Sequence, residues 1–191
     1  MSKDYKSIEE RQSFVVKKGK ELEDQVVNFL TEKLSQHGIK ILHEKELNKH
    51  PKLIEYLSIP TKESKSKNAW GDIDIVVVDN DNYPIAIISC KRSFHGRITE
   101  TFFYSVLFRM LTRIKFVLVT ADAGRGQTDW QSELGSEDKP TKDREMASTF
   151  LDGLYTTNDR TERGGIVKHI NELPNDILYW KQGLIKTQPK W

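Results

Sequence analysis

Apolar positions recur at the three-to-four spacing of an amphipathic helix from Lys17 onward: Leu22, Val26, Val27, Phe29, Leu30 and Leu34. Gly38, just after His37, predicts the helix stop, and the next five residues, IKILH, fit a strand. Two β-rich apolar runs, GDIDIVVVD over 71–79 and PIAIISCK over 84–91, flank the polar turn Asn80-Asp81-Asn82 and predict a hairpin. Both runs are apolar on both faces at their middles, so the hairpin is expected inside a sheet and not at its rim. ITETFFYSVLFRMLT over 98–112 predicts an apolar helix with Thr99 in its cap or first turn, and FVLVT over 116–120 predicts a third buried strand. Further on, a short helix is expected over 143–149, a strand over 150–156, and a helix over 165–173 that stops before Pro174.

Three stretches break this pattern. Residues 1–16 are mostly polar and read as a short arm. Residues 44–68 carry Pro51, Pro60 and alternating lysines and glutamates; Leu53, Ile54 and Leu57 fit one short helix, and the run after Pro60 fits a surface loop. Residues 121–142 are rich in Gly, Asp and Lys and too long for an ordinary connector, so that segment is either functional or mobile. The order of elements predicts an α/β or α+β sheet with helices packed on it.

Composition narrows the class without choosing a function. The 191 residues suit one domain and can bury a core without a disulfide or metal staple. The single cysteine, Cys90, excludes a disulfide framework and a cysteine zinc site. No apolar run is long enough to span a bilayer, and the N-terminus shows no signal sequence, so a cytoplasmic protein is expected. The net charge of +2 does not argue for non-specific nucleic-acid binding, so DNA contacts would have to come from local basic clusters.

The chemistry concentrates at one end of the hairpin. Asp72 and Asp74 are two apart on a strand and share a face, with Ile73, Ile75 and Val77 on the other. A turn centred at residue 81 or 82 brings Lys91 back opposite roughly residues 71–73. One reading is a structural ion pair where a strand enters from solvent. The other is a metal site: Mg2+ takes carboxylates, carbonyls and waters, and Asp74 with the Cys90 carbonyl supplies two of these ligands. Lys91 would then orient or deprotonate a water and stabilise charge on a phosphate, which is the equipment for phosphodiester hydrolysis.

Asp74-Ile75-Val76-Val77-Val78 followed by Ser89-Cys90-Lys91 resembles the PD-(D/E)xK nuclease superfamily, with Asp74 as the metal-binding aspartate and Ser89-Cys90-Lys91 as the (D/E)xK tripeptide. The segment CKRSFHGRITE over 90–100 is similar to type II restriction endonucleases. The resemblance implies an α/β fold, with a restriction-endonuclease-like central mixed β-sheet flanked by helices. It also implies a glutamate on the first helix, for which Glu23 fits first and Glu21 second. Ser89 departs from the pattern, since it stands where the family carries an acid. Some restriction enzymes with SxK take a glutamate from the following helix instead, which makes Glu100 a candidate. The implied metal shell is Asp74, the Cys90 carbonyl and Glu23 or Glu100, with Asp72 as a further carboxylate.

The implied reaction is Mg2+-dependent, site-specific cleavage of double-stranded DNA. Lys91 positions the attacking water, and cutting a duplex suggests a homodimer. Arg92, Arg97, Arg125, Gln127, Asn158 and Arg160 are the candidate DNA contacts, with His95, Arg109 and Arg163 behind them; solvated loops of the same composition would look alike. Trp180 and Trp191 fit packing better than base stacking. Residues 17–120 would form the catalytic core of a single 1–191 domain, and 121–191 an appended α/β segment for DNA recognition or dimerisation. Three alternatives stay open: a repair or junction nuclease, the nicking subunit of a heteromeric restriction enzyme, and a non-catalytic DNA-binding domain on the same fold.

Overall fold

In the computed structural model, residues 8–58, 71, 73–94, 98–125 and 129–184 are described, without the side chains of 8–15. Helix α1 (Ile8–Leu34) leads through a short 3-10 turn to β1 (Ile39–His43). Helix α2 (Pro51–Leu57), the hairpin of β2 (Ile75–Asp79) and β3 (Pro84–Lys91), helix α3 (Ile98–Leu111) and β4 (Lys115–Thr120) follow. Helix α4 (Lys142–Phe150), β5 (Gly153–Thr156), β6 (Val167–His169) and α5 (Leu173–Gln182) come next.

Among the described residues, six strands form one sheet in the order β1-β2-β3-β4-β5-β6. The β1–β2 and β2–β3 pairs are antiparallel, whereas β3–β4, β4–β5 and β5–β6 are parallel. The sheet is therefore mixed and flanked by helices, and the segment after residue 120 extends it with β5 and β6. Hydrophobic side chains alternate between two cores, as strand geometry requires. Ile75, Val77, Ile88, Val117 and Val119 pack with Leu22, Val26, Leu30 and Leu34 of α1 and with Leu173 and Ile177 of α5. Val76, Val78, Ile87, Phe116 and Leu118 pack with Leu53 and Leu57 of α2, Phe102 and Phe108 of α3, and Ala147 of α4. Trp180 packs against the first of these cores, as expected.

Several expectations need correction. Helix α1 begins at Ile8, so part of the supposed polar arm is helical. Strand β2 begins at Ile75, not at residue 71, and the alternation does not reach back: Ile73 packs with Val76 and Val78 on the α3 side. Residue 150 closes α4, and β5 starts at Gly153. The helix expected over 165–173 is instead strand β6 and a 3-10 turn, and α5 begins where that helix was expected to stop. Pro174 lies in the first turn of α5, where its missing N–H costs no intrahelical bond, so it marks a start. The loop expected after Pro60 lies outside the described residues.

Candidate active site

The hairpin register sets the geometry. Ile75 lies opposite Ile88, so the ladder continues outward to Asp74 and Ser89, and the Asp74 N–H donates to the Ile88 carbonyl at 3.3 Å. The Asp74 carboxylate accepts from the Cys90 N–H at 2.6 Å and from the Ser89 hydroxyl at 3.4 Å. Lys91 Nζ stands 3.7 Å from the same oxygen. The Lys91 and Asp74 side chains keep 16% and 20% of their exposure, so the pair sits at a mouth, neither sealed nor fully solvated. The backbone thus fixes Asp74, and Lys91, last in a strand that is otherwise buried, brings its ammonium to the same edge.

Helix α1 adds a second carboxylate. Leu22 and Val26 face the core, and Glu23, beside Leu22, is half-buried. Burial pushes the Glu23 carboxyl above its ordinary value, the negative charges of Asp74 and Asp24 push it further, and Lys91 and Lys20 pull it back. Glu23 therefore lies in the field of both Asp74 and Lys91. Glu21 behaves in the opposite way, since a hydrogen bond from Lys18 at 2.5 Å holds its carboxyl below the usual value. Arg92 adds positive charge near Glu21. Glu100 stands exposed in the first turn of α3. Asp72, His95, Arg97, Gln127 and Trp191 lie outside the described residues.

The two carboxylates of Asp74 and Glu23 supply oxygen donors of the kind a hard divalent cation takes, and the Cys90 carbonyl would be a third. Among the described residues, no cluster of three or more His, Cys, Asp or Glu side chains gathers. A cation here would therefore rest on Asp74, Glu23, the carbonyl and water. A cavity of about 330 Å³ lined by Ile85, Arg109, Lys115, Asp152 and Trp180 lies at the beginning of β3 and β4, away from Lys91.

The segment after β4 carries a feature that sequence reasoning missed. Asp122 is fully buried at φ +39, a conformation aspartate tolerates through local hydrogen bonds. Its carboxylate accepts from the Ser132 and Thr161 hydroxyls at 2.5 and 2.7 Å and from the Glu133 N–H at 2.8 Å. Its carbonyl accepts from Trp130 Nε1 at 3.2 Å and Asn158 Nδ2 at 3.0 Å. Asn158 is thus turned inward. Arg125 reaches the Glu133 carbonyl at 3.2 Å and the Asp143 carboxylate at 3.3 Å. Arg160 lies over the Trp130 ring at 4.4 Å, as a cation–π pair, and Arg163 pairs with Asp159 at 3.3 Å. Arg109 binds the Thr149 carbonyl at 3.0 Å, so it ties α3 to the end of α4.

Known proteins are similar to this chain in sequence and in fold. A profile of the BsaWI restriction endonuclease type 2 family matches residues 43–177, more than half of the chain. A protein of Methanocaldococcus jannaschii named "Putative type II restriction enzyme MjaVIP" is 29% identical over 93% of this chain and 80% of its own length. Among solved structures, the restriction endonuclease AgeI in a DNA complex superposes with a TM-score of 0.72 at 16% identity, covering 93% of this chain and 72% of that one. BsaWI in a pre-specific DNA complex superposes with a TM-score of 0.51 at 18% identity, over 92% of this chain and 64% of that one. At these identities the two superpositions establish the restriction-endonuclease fold.

Proposed function

The chain belongs to the BsaWI restriction endonuclease type 2 family, and from that premise we propose that it is a Mg2+-dependent enzyme that hydrolyses double-stranded DNA at specific sites. The observation that carries this reading is the convergence of Lys91 and the Asp74 carboxylate, 3.7 Å apart, within the field of Glu23. Asp74, Glu23 and the Cys90 carbonyl would hold the metal, with Glu23 preferred to Glu100 because Glu23 is half-buried and feels the charges of Asp74 and Lys91, whereas Glu100 is exposed. When bound, a divalent cation supplies Lewis-acid stabilisation of a scissile phosphate and acidifies a water.

The chain's own groups have separate tasks. The Cys90 N–H and the Ser89 hydroxyl orient Asp74. Lys91 donates to the attacking water and offsets charge that grows on the phosphate. The water oxygen bonds to phosphorus as the bond to the 3′ oxygen breaks, leaving a 3′ hydroxyl and a 5′ phosphate. Ser89 stands at the acidic position of the tripeptide as an orienting group and not as a ligand. Arg92 lies beside this edge, and Arg160 on Trp130 offers a flat cationic surface, so both are favoured as DNA contacts. One such site cuts one strand, so duplex cleavage calls for two copies of the chain. Phe103 and Met110, 59% and 75% exposed on α3, offer an apolar surface between them.

The test is cleavage of plasmid and phage DNA with Mg2+, with EDTA, and with Lys91→Ala. Discrete fragments that vanish in EDTA and in the variant support the reading. One nick per site would replace it with a nicking subunit that needs a partner. DNA binding by folded protein without cleavage would replace it with a non-catalytic domain.

A further inference from the structure

The three residues that follow Lys91 are each fastened to the 121–133 segment. The Arg92 carbonyl accepts from the Ala123 N–H at 3.0 Å. The Ser93 hydroxyl donates to one oxygen of Glu133 at 2.8 Å, and the Phe94 N–H donates to the other at 2.5 Å. Glu133 is 1% exposed, and a buried carboxylate is costly unless hydrogen bonds hold it. Its own backbone is fixed in turn: its N–H binds Asp122 at 2.8 Å, and its carbonyl accepts from Thr141 Oγ1 at 2.9 Å. Asp122 also carries Trp130, over which Arg160 lies. A continuous set of hydrogen bonds, several of them charge-assisted, therefore joins the Trp130–Arg160 surface to the exit of β3.

Resting on the nuclease reading above, we propose that Glu133 is a positioning residue for Lys91. It holds the β3 exit so that the ammonium keeps its place against Asp74 while DNA bears on the Trp130–Arg160 surface. The carboxylate matters because it accepts from two consecutive residues at once. A neutral amide of the same shape offers one acceptor oxygen, and its NH2 group would face the other donor. The bonds span 39 and 40 residues of sequence, and they add side-chain links between two segments that the β3–β4 pairing and the Ala123–Arg92 bond already set side by side.

The test compares Glu133→Gln, Ser93→Ala and Ser105→Ala with wild type. Single-turnover cleavage is measured on a duplex carrying a site mapped from the wild-type phage digest, and duplex affinity is measured in EDTA. Glu133→Gln is expected to lower the cleavage rate about 10–100-fold, the range for groups that orient a first shell, with affinity changed less than about threefold. Ser93→Ala removes one donor to Glu133 without burying a new polar group, and is expected to show a smaller loss in the same direction. Ser105→Ala removes the bond from its buried hydroxyl to the Phe150 carbonyl, between α3 and α4 and outside the Glu133 set, and is expected to lower Tm while leaving the rate close to wild type. Wild-type rates in both Glu133→Gln and Ser93→Ala would overturn the proposal. So would rate losses that follow Tm equally across all three variants, since Glu133 would then act only through stability. Cleavage by wild type that Lys91→Ala abolishes upholds the nuclease reading whichever way Glu133 falls. A wild type that cuts no DNA removes the nuclease reading, and the proposal with it.

Discussion

Asp74 and Asp122 stand beside buried strands, Asp74 just before β2 and Asp122 just after β4, and each binds a backbone N–H and side-chain donors. Their surroundings differ. The bonds that hold the Asp122 carboxylate come from two hydroxyls and an amide, in a pocket that admits no solvent. Asp74 has a lysine 3.7 Å away, a second carboxylate in its field, and 20% of its side chain open. A carboxylate sealed among neutral donors has its charge compensated in place and serves as an anchor. One that shares an open edge with a cation and a like charge keeps unbalanced electrostatics that a metal and a phosphate can complete.

The most direct way to break this contrast is to remove the charges at the open edge. Lys91→Ala and Asp74→Asn should each lower cleavage by about 10²–10⁴-fold, the range for a transition-state group. Circular dichroism melts should show far smaller changes than those of the Asp122 variant below. Equal loss of stability in the two sets would erase the distinction between edge and anchor.

Glu23→Gln sharpens the contrast by separating activity from stability. Cleavage should fall by about 10²-fold, yet Tm at neutral pH should match or exceed wild type. The folded state holds the Glu23 proton more tightly than the unfolded chain does. Ionising Glu23 therefore costs stability, and this cost grows as the pH rises from the ordinary glutamate value through the folded one. Wild type and variant should converge in Tm as the pH is lowered through that window; a gap that widens in acid would contradict the raised proton affinity that burial gives Glu23.

Asp122→Ala probes the sealed site. It strands two hydroxyls and an N–H in a closed pocket, and should cost about 2–4 kcal/mol, or about 4–16 °C in Tm. Urea melts would measure it, and a loss below about 0.5 kcal/mol would show that water replaces the carboxylate there without difficulty. The smallest effect is expected at Glu100, exposed on α3: Glu100→Ala should keep cleavage within about threefold of wild type, as surface changes do. A loss as deep as that of Glu23→Gln would move the metal shell toward α3.

The edge was legible in the sequence, and the anchor was not. A hairpin leaves two signals, periodic apolar runs and a short polar turn, and its symmetry places Lys91 near Asp74 by counting alone. The observed pairing of Ile75 with Ile88 agrees with that count, although the register slips between Val77 and Val78. The buried stripe of α1 was legible, but Glu23 was singled out on it only through the family resemblance, which implies a glutamate on the first helix. Asp122 and Glu133 bind partners up to 40 residues away through single side chains, which leaves no periodic trace. The one available hint was a long polar segment holding five acids among serines and threonines, with nothing to single out Asp122 and Glu133. The start of α5 was misplaced because Pro174 is compatible with either end of a helix, and the packing of Leu173 and Ile177 decides between them.

The strand order follows the chain order without exception, and this gives the protein a history as it leaves the ribosome. Each new strand finds its neighbour already in place, so the sheet can widen one strand at a time with short searches. The hairpin that pairs Asp74 with Lys91 is complete once β3 emerges, whereas Glu133 and the strands beyond arrive later. A nascent chain would thus carry its reactive edge before the parts that brace it, and a cell that makes this protein would gain its cutting power only as the last third is added.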